Sequence, residues 1–274
     1  VNKDGAPQSA INITYPLDYK PGAADAAAVS LLSYTYGGGS ASRLFKNLRE
    51  THSYTYGVYS SINSDEFVGS FELTSGSGAG SVKAAATDSA LYQIFYEMGQ
   101  MIDKPIGEKE LKDAKAALAG SFGRSVSEPS VIANYAVNID KYNLPKDYYK
   151  NYLKRLEAVT TADIQAAAKK YLKPNNALIV VVGDKSHAEG LKQFTSDGVV
   201  SFYDFDGNQV EAPKAKSADI SAEDVIAKYV EAVGGKAAID KVESYKTEGV
   251  MSMMGQNVNI LVAFKKPSNV ATHI

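Results

Sequence analysis

The sequence predicts an α+β fold: an antiparallel or mixed sheet with helices packed on one face, plus a short C-terminal helix and β-hairpin segment. Three observations predict it. Alternating segments stand at the start and around residues 55–74, helical apolar stripes fill most of 82–172, and a continuous apolar run, Ala177–Val182, closes the block. The chain has 274 residues, enough for one large or two modest domains. An apolar share of 45% supplies a core, and 22% charged residues are ordinary for a soluble protein.

Ser9–Tyr15 alternates, with Ile11, Ile13 and Tyr15 on one face, as a strand with one buried side does. A helix from about Ala23 to Tyr36 runs into Gly37-Gly38-Gly39, read as a helix–helix turn that needs positive φ. Ser40 is the expected cap of the next helix, whose stripe is Leu44, Phe45 and Leu48. Thr55–Ile62 and Glu66–Thr74 read as a hairpin through Asn63-Ser64-Asp65, with Phe67, Phe71 and Leu73 on one face. After the glycine–serine loop Ser75–Gly80, a long helix to about Asp103 carries Val82, Ala86, Ala90, Ile94, Met98 and Met101 as its core stripe. Helices follow over about Glu108–Arg124, Ser130–Tyr142 and Asp147–Leu156. Thr160 and Asp163 then cap a helix through Leu172. Ala177–Val182 reads as a central strand buried on both sides, and Val199–Phe205 as an edge strand.

This block, residues 1–195, is the predicted main domain, and 196–217 supply an edge strand and a polar linker. Residues 218–274 read as the start of a truncated second domain. Ser221 caps a helix to Val233, Gly234-Gly235 stop it, and Tyr245–Met254 and Asn257–Lys265 pair through a turn at Gly255-Gln256.

Composition excludes several classes. Basic and acidic residues number 29 and 31, so no net field points to nucleic acid or an anionic membrane. Ala177–Val182, the longest apolar run, falls far short of the ~20 residues of a membrane span. The polar opening VNKDGAPQS reads as an internal segment, with no signal or transit sequence. Zero cysteines rule out disulfides, thiolate zinc sites and a cysteine nucleophile. The 18 tyrosines, beside no tryptophan, are expected to serve mainly as half-buried packing rings with a polar tip.

Nucleotide and metal motifs fail in turn. Gly37-Gly38-Gly39 lacks the Lys-Ser/Thr of a phosphate loop. Gly76–Ser81 places Ser where the third glycine of a dinucleotide fingerprint belongs. None of His52, His187 and His273 has a histidine three or four residues away, and no His-Glu-x-x-His or His-x-x-Glu-His occurs. A catalytic zinc needs three protein ligands, so this chain is expected to bind no metal or cofactor.

The most informative segment is Gly37–Tyr59, GGGSASRLFKNLRETHSYTYGVY. It reads as a glycine turn, an amphipathic helix and an aromatic strand, with Arg49 near the helix end and Tyr56 on the strand. Spacing alone leaves these as a solvated arginine and a sheet-packing tyrosine. As two rigid donors on adjoining elements, they suit a carbonyl or a developing oxyanion better than a phosphate or a metal.

The stretch GGGSASRLFKNLRETHSYTYGVYSS resembles the pitrilysin/insulinase family of zinc metallopeptidases, specifically its non-zinc half. NITYP, EKELKDAKAALAGSF and VTTADIQAAAKKYLKPNNALIVVVGD extend the resemblance over about residues 5–195. It implies duplicated α+β domains, one half carrying the zinc motif and the facing half an Arg and a Tyr seven positions apart. Arg49 and Tyr56 match that pair, and the resemblance makes them catalytic and substrate-binding residues that hold a peptide carbonyl or oxyanion. The chain would then be the substrate-binding half of a zinc metalloendopeptidase, inactive alone. Zinc would sit in a missing half of the same full-length chain or in a partner subunit. The alternative is a catalytically inert peptide-binding or scaffold subunit of the same family. Ser53 departs from the glycine of many relatives, a change expected to be harmless. From Ser221 the tail is similar to the start of periplasmic lipoprotein-carrier domains, which implies a periplasmic or cell-envelope location.

Overall fold

The computed structural model describes residues 1–76, 81–211, 221–253, 256–266 and 268–273. It divides into two compact units, Val1–Pro213 and Lys214–Ile274.

The first unit is built on β1 (Gln8–Leu17), whose odd residues from Ser9 to Leu17 are buried while its even residues face outward. That alternation is the pleat of a sheet covered on one face. β1 pairs antiparallel with β3 (Gly69–Thr74), and β3 with the edge strand β2 (Tyr59–Asn63). The short β4 (Val82–Lys83) extends the β3 side against Gln8 and Ser9, and β5 (Leu178–Val182) pairs along the other side of β1. Every pairing in this sheet is antiparallel.

Helices α1 (Ala26–Gly37), α3 (Thr87–Asp103), α4 (Glu108–Ser125), α6 (Tyr152–Ala158) and α7 (Thr161–Tyr171) cover the buried face. The predicted stripe of α3 is buried residue for residue, from Ala90 through Ile94 and Met98 to Met101. Val82 is also buried, but on β4: the chain forms one short strand and a 3-10 turn before the helix begins. α7 starts at a reciprocal box, Thr160 Oγ1 accepting from the Asp163 N–H and Asp163 from the Thr160 N–H. The Thr160 hydroxyl and amide hold the Asp163 carboxyl below its ordinary range.

α5 (Pro129–Lys141) buries no residue of its own. Instead it stacks Tyr135 on Tyr149 at 3.7 Å between ring centroids. Phe122 lies 6.2 Å from Tyr135 and 4.6 Å from Tyr152, which extends the aromatic cluster toward α6.

Several expectations are corrected. None of Gly37, Gly38 and Gly39 has positive φ. The need for glycine is one of space: a Cβ on Gly37 would lie 2.7 Å from the Ser60 amide nitrogen and one on Gly38 2.6 Å from the Tyr34 Cα. The end of α1 is pressed onto β2, and a side chain there has no room. The next helix is capped by Ser42, which accepts from the Phe45 N–H, and not by Ser40. Phe67 lies outside β3 and is 78% exposed, because the Asp65 carboxylate takes the Phe67 and Val68 N–H groups and holds residues 64–68 as a loop. The segment Asp147–Leu156 is helical only from Tyr152.

β5 is an edge strand, with Leu178 and Val180 exposed and Ile179 and Val181 packed against the core. A purely apolar run does not distinguish a central strand from an edge whose outer face stays apolar. Val199–Phe205 does not join this sheet: β6 (Phe202–Tyr203) forms a small hairpin with β7 (Gln209–Val210).

In the second unit, α8 (Ala222–Ala232) begins at the Ser221–Asp224 capping box and stops at Gly234 and Gly235, both at positive φ. A second short helix, α9 (Lys236–Asp240), follows. The expected hairpin gains a third strand: β8 (Ser244–Met253), β9 (Gln256–Lys265) and β10 (Asn269–His273) form an antiparallel meander. Three strands are the minimum at which such a sheet holds well in water. Gly255 of the predicted turn, residues 212–219 of the predicted linker and residues 77–80 of the glycine–serine loop lie outside the described residues.

Candidate substrate-binding site

Arg43–Phe45 starts as the α-helix α2 and continues as a wider π helix, Lys46–Thr51, which carries Arg49. Leu44 and Leu48 are fully buried and Phe45 is nearly so, so this helix sits firmly on the core. Single π turns inside helices recur at functional sites, because the extra residue re-aims the side chains after it.

The helix ends by reversing direction. The His52 N–H donates to the Asn47 carbonyl at 3.0 Å, Ser53 to Arg49 at 3.1 Å and Tyr54 to Leu48 at 2.9 Å. Ser53 makes the reversal at φ 54°, in the left-handed region. The segment after it is pinned at intervals: Lys83 N–H donates to the Tyr54 carbonyl, and Thr55, Gly57 and Val58 are buried. Tyr56 stands out between them at 67% exposed. It therefore lies in the loop before β2, where the sequence placed it on the strand; the buried Thr55 hydroxyl, accepting the Gly57 N–H, bends the backbone away from a ladder. Gly57 leaves room for the Tyr59 ring, whose Cε2 would stand 2.8 Å from a Cβ at that position.

This reversal brings the two candidate residues together. The Arg49 Cζ lies 4.8 Å from the Phe45 ring centroid and 5.9 Å from that of Tyr56. Both distances are within the range of a cation–π contact. Among the described residues, neither the Arg49 guanidinium nor the Tyr56 hydroxyl has a hydrogen-bond or ion-pair partner. Two rings hold the cation, and its N–H groups stay available together with an exposed phenol. Chemically this is a pair of donors for an oxygen acceptor such as a peptide carbonyl.

Replacing Ser53 with glycine removes a side chain from the left-handed region, which costs an L-residue about 1–2 kcal/mol, against about 0.5–1 kcal/mol for the added freedom of the unfolded chain. We therefore expect Ser53→Gly to stabilise the chain by about 0.5–1 kcal/mol in urea unfolding. A lower urea midpoint would show that the serine is favoured at this turn.

The residues around Arg49 matter as much as the pair. Phe45 stands one helical turn before Arg49, a spacing visible in the sequence, where an apolar stripe residue suggests core packing alone. Arg43 donates from Nε and Nη2 to the two Glu110 carboxylate oxygens, both at 2.8 Å. That bond raises the Arg43 guanidinium further above its ordinary range. The partner lies 67 residues along the chain, so no local spacing reveals it.

His52 stacks on Tyr54 at 5.0 Å and joins no metal-ligand cluster. Among the described residues no group of three or more His, Asp or Glu side chains could hold a metal ion, so the residues present do not fit a zinc site. A cavity of about 580 Å³ lies between β5, the start of α3 and residues 185–207, and neither Arg49 nor Tyr56 lines it. Among the described residues no helix is long and apolar enough to cross a membrane.

Residues 1–118 match the family model described as the peptidase M16 inactive domain. An uncharacterized zinc protease of Mycobacterium tuberculosis is 29% identical over 153 residues, covering 53% of this chain and 32% of that protein. A solved peptidase M16 inactive domain from Pseudomonas fluorescens superposes with a TM-score of 0.60 at 27% identity, over 67% of this chain and 42% of that one. The periplasmic protease PqqL from Escherichia coli gives 0.54 at 21% identity, over 67% and 20% of the two chains, a likeness of fold alone. The chain spans about a third of the length of the curated relatives it matches.

Proposed function

We propose that this chain is the substrate-binding, non-zinc half of an M16-type zinc metallopeptidase, with Arg49 and Tyr56 holding the peptide carbonyl or the oxyanion that develops from it. One observation carries the reading: an arginine and a tyrosine, exposed side by side, whose polar ends have no partner among the described residues. The match of residues 1–118 to a peptidase inactive domain and the distant zinc protease relatives support it.

The roles follow from the donors. An extended peptide laid over the loop at Tyr56 offers a carbonyl oxygen to the guanidinium edge and the phenol hydroxyl. Both bonds strengthen as negative charge builds on that oxygen, which is the condition for lowering a barrier and not merely tightening binding. The guanidinium is already oriented by the Phe45 and Tyr56 rings, so little reorganisation is needed when substrate arrives. In this reading the metal and the hydrolytic water belong to another half, upstream in the same protein or on a partner subunit, in keeping with the lack of a His/Asp/Glu cluster among the described residues. The lipoprotein-carrier-like tail from Ser221 supports an envelope location.

The test is metal content and cleavage of a quenched-fluorescent peptide mixture of random sequence, with and without a zinc-bearing M16 half. The expected result is neither zinc nor cleavage for the chain alone, and cleavage with both halves. Tight zinc binding by the chain alone would overturn the division of labour. Peptide binding without any cleavage in the assembled pair would favour the inert scaffold.

A further inference from the structure

The helix that presents Arg49 is anchored at two points by polar bonds as well as by its buried leucines. At its start is the bidentate Arg43–Glu110 pair on α4, with the two side chains 22% and 30% exposed. Four residues on, Asn47 Nδ2 donates to Glu97 Oε1 at 2.7 Å and to Gln93 Oε1 at 3.1 Å, both on α3. Asn47 is also the residue whose carbonyl accepts the His52 N–H, an i to i+5 bond at the end of the wide turn that the His52 N–H shares with the Arg49 carbonyl. Its side chain thus ties to α3 a residue inside the wide turn whose own carbonyl takes part in the π pattern.

The consequence for Arg49 is geometric. Each residue advances a helix by about 100°, so a turn that reverts from the wide to the ordinary form swings the following side chains well off their direction. Leu44 and Leu48 repeat every four residues and by themselves do not choose between the two windings. The polar bonds do, because a shifted Asn47 would leave the Glu97 carboxylate without its donor.

We propose that Asn47, clamped by Glu97 and Gln93 on α3 and seconded by Arg43–Glu110, is a positioning residue that fixes the wide turn and aims the Arg49 guanidinium at Tyr56. Its importance for turnover rests on the function proposed above; the clamp itself can be read without it. Asn47 touches no substrate in this scheme and acts only through Arg49. Displacements of about 1 Å at a positioned group cost on the order of 10²-fold in rate.

Asn47→Asp is the informative change. It keeps the shape of the side chain and replaces the amide donor with a carboxylate facing Glu97 at hydrogen-bond distance. The two charges repel, and the clamp opens. The second change, Glu97→Gln, supplies an amide that donates back to Asp at position 47 and closes it again.

Two measurements on the full chain assembled with a zinc-bearing half decide the matter. In hydrogen exchange, Asn47→Asp is expected to expose the His52, Ser53 and Tyr54 amides while leaving those of α3 protected, and the double variant Asn47→Asp/Glu97→Gln is expected to restore them. In cleavage of the random quenched-fluorescent peptide mixture, Asn47→Asp should lower kcat at least tenfold with KM within about twofold, and the double variant should recover to within about threefold. Unchanged exchange at residues 52–54 in Asn47→Asp overturns the clamp. A loss of kcat that Glu97→Gln does not rescue does so as well, since it signals general damage. Arg49→Ala in the same assay separates the two claims: if that variant retains full kcat, the proposed function fails, while the exchange data still decide whether Asn47 holds the turn.

Discussion

Arg49→Ala is expected to lower kcat of the assembled peptidase by about 10²–10³-fold and to leave its unfolding midpoint almost where it was. The catalytic side of this expectation follows from removing one preorganised donor from a developing oxyanion, which costs about that much in acyl-transfer enzymes. The stability side follows from the site. Arg49 is exposed and its charge has no ion pair among the described residues, so only its packing on the Phe45 and Tyr56 rings is lost. Surface changes of this kind usually lie within about 0.5 kcal/mol. Arg49→Lys is expected to recover little of the rate, because a point charge on a flexible stem does not offer two N–H groups in a fixed plane between two rings. Steady-state kinetics beside a urea melt tests both halves of the statement. A variant with full activity, or one lost only because it unfolds, would remove Arg49 from the proposed chemistry.

Phe71→Ala should have the largest effect on stability. Phe71 is fully buried at the centre of β3, stacked on Tyr15 at 4.7 Å with the rings 7° from parallel, and 6.2 Å from the Tyr36 ring. Both neighbours are themselves held, Tyr15 by donating to the Tyr171 carbonyl and Tyr36 by donating to the Ile94 carbonyl. They are poorly placed to collapse into the vacated space. A Phe→Ala change in such a setting costs about 3–5 kcal/mol. At about 2–4 °C per kcal/mol for a unit of this size, Tm falls by about 6–20 °C. Calorimetry of the wild type and the variant checks it; a fall of only a degree or two would mean that the sheet and helices repack around the gap.

Much of this fold is legible in the sequence because its signals are periodic and local. The alternation of β1, the stripe of α3 from Ala90 to Met101 and the Thr160–Asp163 box each depend on residues a few positions apart and are found in the structure. Val82 and Ala86 are buried ahead of the helix, on β4 and in a 3-10 turn. Features set by distant partners are not legible. Gly37, at the end of α1, is small because Ser60 of β2 passes within contact of it, and nothing near Gly37 in the sequence announces Ser60. The position of β5 at the edge depends on which strands pair with β1, and its composition carries no such information.

The candidate site divides in the same way. Arg49 and Tyr56 were identifiable as types at a spacing, and their adjacency depends on a wide turn and a left-handed Ser53 that no pattern in the sequence marks. The anchors Glu97 and Glu110 are further still from view, since they come from α3 and α4, 50 and 67 residues beyond the side chains they hold. An acidic residue on a helix surface reads as solvated until its partner is known.

The stacked rings of Tyr135, Tyr149, Phe122 and Tyr152 belong to a chain with no tryptophan, so its ultraviolet emission is that of tyrosine alone. Any indole signal from a mixture with a tryptophan-bearing protein therefore originates outside this chain. Excitation energy passing from these phenols to that indole would give an optical ruler for association, read without attaching a dye.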